Sequence, residues 1–137
     1  MNSTELSFAD ELNTFYARFD LANPMVAVTE ESSGTGTPPF IISESDVRGV
    51  FRGVNGRKAT SPDHIPGRVL KSCADQLVPV YAEIFNLSLA QAVVPSCFKH
   101  SIIVPVPKNS KPAGLNDYRP VALTSAVMKC FERLVKK

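Results

Sequence analysis

The side chains in this sequence with chemistry to offer are cations set among prolines and turn formers. Two groups stand out. Lys108, Lys111 and Arg119 punctuate the stretch from Ser101 to Leu123, SIIVPVPKNSKPAGLNDYRPVAL, and Arg57 and Lys58 open a second stretch, GRKATSPDHIP, from Gly56 to Pro66. Guanidinium and ammonium groups beside loops of small residues suit phosphate, because the backbone can approach closely while charge-assisted hydrogen bonds neutralise the anion. Metal chemistry has less to build on. Cys97 and His100 are separated by two residues, but a structural zinc site needs four ligands, and Cys73, Cys130 and His64 stand singly. A Cys97 nucleophile served by His100 lacks a recognisable third group, and the apolar residues before Cys97 suit a buried thiol. Asp63 reads as a turn residue that satisfies local N–H groups, in preference to a metal ligand. No catalytic and no metal-binding residue is therefore expected.

The elements that must position these cations follow from pattern. Ile102 to Val106 and Tyr118 to Leu123 read as two short strands joined by a loop rich in Lys, Pro, Gly and Asn. Pro105, Pro107, Pro112 and Pro120 remove backbone donors, so the pair can form an edge ribbon but not the middle of a sheet. If the strands pair, Lys108 and Arg119 come to the same end, where two cations could hold a phosphate. Ser43 with Asp46 is a capping-box start for a helix from Glu44 to about Val54, closed by Asn55 and Gly56, with Val47, Val50, Phe51 and Val54 inward and Arg48 and Arg52 on a solvated face. After Pro66, at the head of a short helical stretch, a longer helix runs from Gln76 or Pro79 to Val93. Its inward face is Leu77, Val80, Tyr81, Ile84, Phe85 and Ser88, and Pro79 would kink it unless it sits in the first turn. Thr124 or Ser125 caps a last helix with Val127, Met128, Phe131, Leu134 and Val135 on its apolar side and a Glu132–Lys136 pair outside. Near the start, Thr4 to about Phe19 reads as a helix with a stripe of Leu12, Phe15, Tyr16 and Phe19, and Ala22 to Pro39 as a linker.

At 137 residues and 44% hydrophobic content, the chain permits one modest globular domain. The formal charge of +2 hides an asymmetry: residues 1–46 carry a net −7 and residues 47–137 a net +9. A basic body behind an acidic head is what a polyanion-binding surface with a separate leader would look like, ordinary solvated charge being the alternative. Three widely spaced cysteines argue for reduced thiols in an intracellular protein of cytoplasm or nucleus. The start has no secretory signal, and no apolar run is long enough to cross a bilayer.

The phrase IIVPVPK, a variable linker, NDYRPVALTS and the helix VMKCFERLV closely resemble the fingers region of reverse transcriptases from non-LTR (LINE-type) retrotransposons. The resemblance is dense from about Ile41 onward and visible again in ADELNTFYARFD. The resemblance implies an α+β, mostly helical fold in which helices pack around a short proline-rich β-hairpin. It divides the chain into an N-terminal helix (1–21), a flexible linker (22–40) and a partial reverse transcriptase domain (41–137) without palm or thumb. Residues 56–66 stand where the family usually has Lys-Ala-x-Gly-Pro-Asp-Gly-Ile near the template. Ser61 and His64 replace glycines there, so a backbone needing positive φ costs about 1 kcal/mol more at each.

By the same resemblance Arg119 clamps the triphosphate of an incoming nucleotide, Lys108 assists, and Arg57, Lys58 and Lys111 lie along nucleic acid. The family's two-metal aspartates sit in palm motifs absent from these residues, so no polymerase activity is expected from this polypeptide alone, and Mg²⁺ only in a full-length enzyme. The expected partners are an RNA or DNA template and a deoxynucleoside triphosphate, bound weakly, and either the missing palm or another copy of the chain through exposed apolar faces. A remnant or protein-interaction module with no nucleic-acid role stays open beside this reading.

Overall fold

Ser43 shows how local chemistry sets the helical part of the molecule. Its hydroxyl accepts the Asp46 amide at 3.1 Å and donates to the Asp46 carboxylate at 2.6 Å, while the Ser43 amide donates back to that carboxylate at 3.3 Å. This reciprocal box satisfies orphan donors at the helix start. In a computed structural model that describes residues 3–18, 39–59 and 62–137, the box opens α2. The elements in chain order are α1 (Ser3–Ala17), α2 (Glu44–Arg52), α3 (Gly67–Ser72), α4 (Ala74–Gln91), α5 (Ser96–Lys99), β1 (Ser101–Pro107), a 3₁₀ turn (Leu115–Asp117), β2 (Tyr118–Thr124) and α6 (Ala126–Val135). The expected architecture, α+β and mostly helical with a two-stranded hairpin, is what is seen. Most of the expected linker, and Phe19, lie outside the described residues.

Two compact units divide the chain. The larger contains α2 to α6, and its core is aromatic. Phe85 of α4 stacks on Phe131 of α6 with ring centroids 4.7 Å apart and planes 10° from parallel. Tyr81 meets Phe51 of α2 at 5.4 Å, and Phe98 of α5 meets Phe85 at 6.5 Å. Val47, Phe51, Leu70, Val78, Phe85 and Val127 are fully buried around them. Gly67 is where α3 passes close to the end of α2: a Cβ there would come 2.6 Å from Cγ1 of Val54. Ile42 is clipped to α4 by Asn86, whose Oδ1 accepts the Ile42 amide at 2.8 Å and whose Nδ2 donates to the Ile42 carbonyl at 2.9 Å.

Several expectations need correction. Helix α2 closes at Gly53, ahead of Asn55 and Gly56. Helix α4 starts at Ala74, because Cys73, whose amide closes α3 by donating to the Val69 carbonyl at 2.8 Å, accepts the Gln76 and Leu77 amides on its own carbonyl at 3.1 and 3.0 Å. Pro79 therefore sits in the second turn, and the helix continues through it to Gln91. The buried face of α4 takes Ala74, Val78, Ala82, Phe85 and Ser88, with Tyr81 packed beside it, and leaves Val80 exposed. On α6 the core takes Cys130 and not Val135, and burial pushes the Cys130 thiol up to about 11. Cys97, expected inside, is exposed. Arg48 and Arg52 do not simply solvate. Both reach Asp75, at 2.9 and 3.0 Å, and these bonds, Arg48's first, hold its carboxyl below the usual range. The Glu132–Lys136 side-chain pair is not among the ion pairs of the described residues, whereas Lys137 approaches Asp46 at 3.5 Å.

The smaller unit contains α1 and the ribbon segment Val104–Val121. Within it Phe8 of α1 meets the Tyr118 ring edge-on at 5.7 Å, and Leu12 is buried. The acidic first helix thus packs at the loop end of the ribbon.

Candidate nucleic-acid interface

The loop end of the ribbon is a closed structure built on Asp117. Its carboxylate accepts the Ala113 and Gly114 amides at 2.8 and 3.0 Å, and its carbonyl accepts the Lys108 amide at 2.8 Å, which registers the two strands. The Ala113 amide first, then Gly114, then the Lys108 charge hold the Asp117 carboxyl below its ordinary value. Lys108, the residue after β1, donates from Nζ to the Asn116 carbonyl at 2.6 Å. Arg119 is the second residue of β2 and is exposed, and among the described residues its side chain makes no hydrogen bond or ion pair. Because side chains alternate along a strand, Arg119 leaves the ribbon on the face opposite Tyr118. Lys108 and Arg119 therefore do come to one end of the ribbon, and the two carboxylates that could have neutralised Arg119 are occupied elsewhere. Asp117 is taken by its own loop. Asp63 accepts the Ile65 amide at 3.1 Å and the Ser125 hydroxyl at 2.6 Å. Lys111 is exposed on the loop between the strands.

Arg57 and Lys58 belong to the larger unit and follow α2. Asn55 shapes their turn: its side-chain oxygen accepts the Arg57 amide at 3.0 Å and its carbonyl the Lys58 amide at 3.4 Å. Both side chains are exposed. Further along, His64 adopts φ 56°, the left-handed conformation that the glycine-like position demands. Ser61 lies outside the described residues. The bond from Ser125 to Asp63 ties this turn to the start of α6, where the same hydroxyl accepts the Met128 amide at 3.4 Å. Asp63 is thus a turn residue as expected, with a second, long-range partner that no local pattern announces.

Lys58 lines a cleft of about 120 Å³ between the turn after α2 and α6, and there it is joined by Lys129 and Arg133. From the sequence Arg133 reads only as a last-turn cation suited to the helix dipole, and Lys129 carries no reading; their i, i+4 spacing is the signal that points to them. Among the described residues no group of three His, Cys, Asp or Glu side chains comes together to hold a metal ion. No helix of the described residues is long and apolar enough to cross a membrane.

No protein-family model matches the chain. Over 121 residues, 88% of its length, it is 26% identical to the RNA-directed DNA polymerase from mobile element jockey of Drosophila melanogaster. The chain is similar to a mobile-element polymerase. The resemblance to reverse transcriptases of non-LTR retrotransposons, read from the YRPVAL and KCFERL phrases, is borne out. The chain spans 13% of that polymerase's length.

Proposed function

We propose that these residues form the phosphate-gripping part of a retrotransposon RNA-directed DNA polymerase, resembling its fingers, and that the metal-holding carboxylates of nucleotidyl transfer come from outside them. The observation that carries this is Arg119: an exposed guanidinium without a protein partner among the described residues, beside Lys108 at the loop end of the ribbon. An unpaired guanidinium is suited to bidentate contact with phosphate oxygens. Arg119 and Lys108 take the triphosphate of a nucleotide, while Arg57, Lys58 and Lys111 meet the backbone of an RNA or DNA strand. Mg²⁺ enters with the absent carboxylates. A second reading, a protein-interaction module, is favoured by Ile102, Ile103 and Val121, which are exposed on the ribbon.

Titration of the full chain with a labelled single strand and with a deoxynucleoside triphosphate, across a salt series, tests the first reading. Strand affinity is expected to fall steeply with salt and to ignore base sequence. Arg119→Ala is expected to weaken triphosphate binding by about 10- to 150-fold, with partial recovery in Arg119→Lys. Equal affinity at low and high salt rejects it, and concentration-dependent self-association in sedimentation would favour the second.

A further inference from the structure

We infer that the cleft between the turn after α2 and helix α6 is a separate phosphodiester site, in which Lys58, Lys129 and Arg133 grip the backbone of a nucleic-acid strand. The inference rests on the polymerase reading above and adds two residues and a location to it.

Three cations line this cleft, and among the described residues no carboxylate does. That is not the rule elsewhere in the same unit. Arg48 and Arg52 converge on Asp75, and Lys137 approaches Asp46, so three cations beyond the cleft find internal counter-charges. Among the described residues Lys58, Lys129 and Arg133 have no such pair. Helix α6 sorts its charges by side: Lys129 and Arg133 line the cleft, while Glu132 and Lys136 line a groove on the other side against the end of α4. Two like charges at i, i+4 weaken a helix, and an anion held between them turns that repulsion into attraction.

The cleft is also shaped for close approach. Gly53, Ala59, Gly67 and Ala126 contribute almost no side chain to its walls, and at Gly67 there is no room for one, since a Cβ would meet Val54 at 2.6 Å. At about 120 Å³ between small residues, it accommodates a backbone group more readily than a base with its sugar. Recognition is therefore independent of sequence, as contacts to phosphate are. The α6 register that sends Phe131 and Leu134 into the core sends Lys129 and Arg133 to this side, so the fold itself presents the pair.

The test uses the full chain with labelled oligouridylate and oligothymidylate, comparing the wild type with Lys129→Gln/Arg133→Gln and with Lys136→Gln. Each phosphate-bound cation contributes about 0.7 to the slope of log affinity against log salt for a single strand, so the double variant is expected to lose about 1.4. Lys136→Gln, which removes the same charge from the other side of α6, is expected to leave the slope unchanged. Lys129 and Arg133 are exposed, so folding should survive; the single variants, each losing about 0.7, keep the result readable if the double variant melts early. A double variant with the wild-type slope removes this site and leaves the polymerase reading standing. An equal loss in Lys136→Gln means bulk charge and also removes the site. Competition by polyglutamate as effective as by polyuridylate points to an acidic protein and overturns it. A wild type that binds neither strand overturns both readings.

Discussion

The helical unit and the ribbon are built from similar aliphatic residues and treat them in opposite ways. Val47, Val78 and Val127 are fully buried among the helices, whereas Ile102 and Ile103 on β1 are 51% and 41% exposed and Val121 on β2 is 40% exposed. The difference is geometric. A helix presents one stripe and can hide it, while this ribbon has two faces and, among the described residues, no further strand, and its prolines hinder one. Polar groups follow a related division. In the helical unit Arg48 and Arg52 share Asp75, and on the ribbon Arg119 pairs with nothing among the described residues. Stability is thus concentrated in the aromatic helical core, and exposed cations without an ion pair among the described residues include Arg119 at the ribbon end and Lys58, Lys129 and Arg133 at the α6 cleft.

The largest test of this division compares Phe131→Ala with Ile102→Ala. Removing the ring that stacks on Phe85 is expected to cost about 3–5 kcal/mol, because the cavity sits among helices that cannot all collapse into it. Trimming the half-exposed Ile102 is expected to cost under about 1 kcal/mol. Urea unfolding midpoints with unchanged slopes read both, and comparable losses would mean that the ribbon is as buried in solution as the helical core.

A smaller effect probes how the turn before α3 is fastened to α6. Asp63→Ala strips the acceptor from the Ser125 hydroxyl, which is 1% exposed, and from the Ile65 amide. Leaving a buried hydroxyl without its acceptor costs about 1–3 kcal/mol. Asp63→Asn, which keeps an acceptor oxygen, should recover most of it. A loss below about 0.5 kcal/mol for the alanine variant would show that the Ser125 bond does not hold the turn.

How much of this was legible in the sequence depended on the distance over which each interaction acts. The Ser43–Asp46 box and the two strands were readable because their signals lie within a few residues, and Ser125 was one of two candidates for the α6 cap. Bonds that link Asp63 to Ser125, Asn86 to Ile42 and Asp75 to two arginines were not, since nothing in a periodic pattern says which distant partner a polar side chain will meet. The inward face of α4 was misread at Val80 for a related reason. A start at Gln76 ignores Cys73, whose amide closes α3 and whose carbonyl opens α4, and it is the packing of α4 on its neighbouring helices, invisible to a periodic pattern, that buries Val78 and leaves Val80 out. At the ribbon end the meeting of Lys108 and Arg119 was legible from two neighbouring strand patterns, while the α6 cleft required the fold to bring Lys58 against residues more than seventy positions away.

The smallest expected effect concerns His64, where a sequence departure and a backbone angle meet. At φ 56° the residue occupies a conformation that costs a side-chain-bearing residue about 1 kcal/mol or more, and glycine very little. His64→Gly removes that strain but also frees the unfolded chain, which offsets roughly 0.4–1 kcal/mol of the gain. The net is expected to be a stabilisation of under about 1 kcal/mol. His64→Val, whose branched Cβ resists this region, should destabilise clearly. The strain persists because the neighbouring Asp63 holds the turn from both sides, through Ile65 and through Ser125. In an Asp63→Ala background the backbone can relax, so the difference between His64→Gly and His64→Val should shrink. A double-mutant cycle showing full additivity would mean that the left-handed turn is set by something other than Asp63.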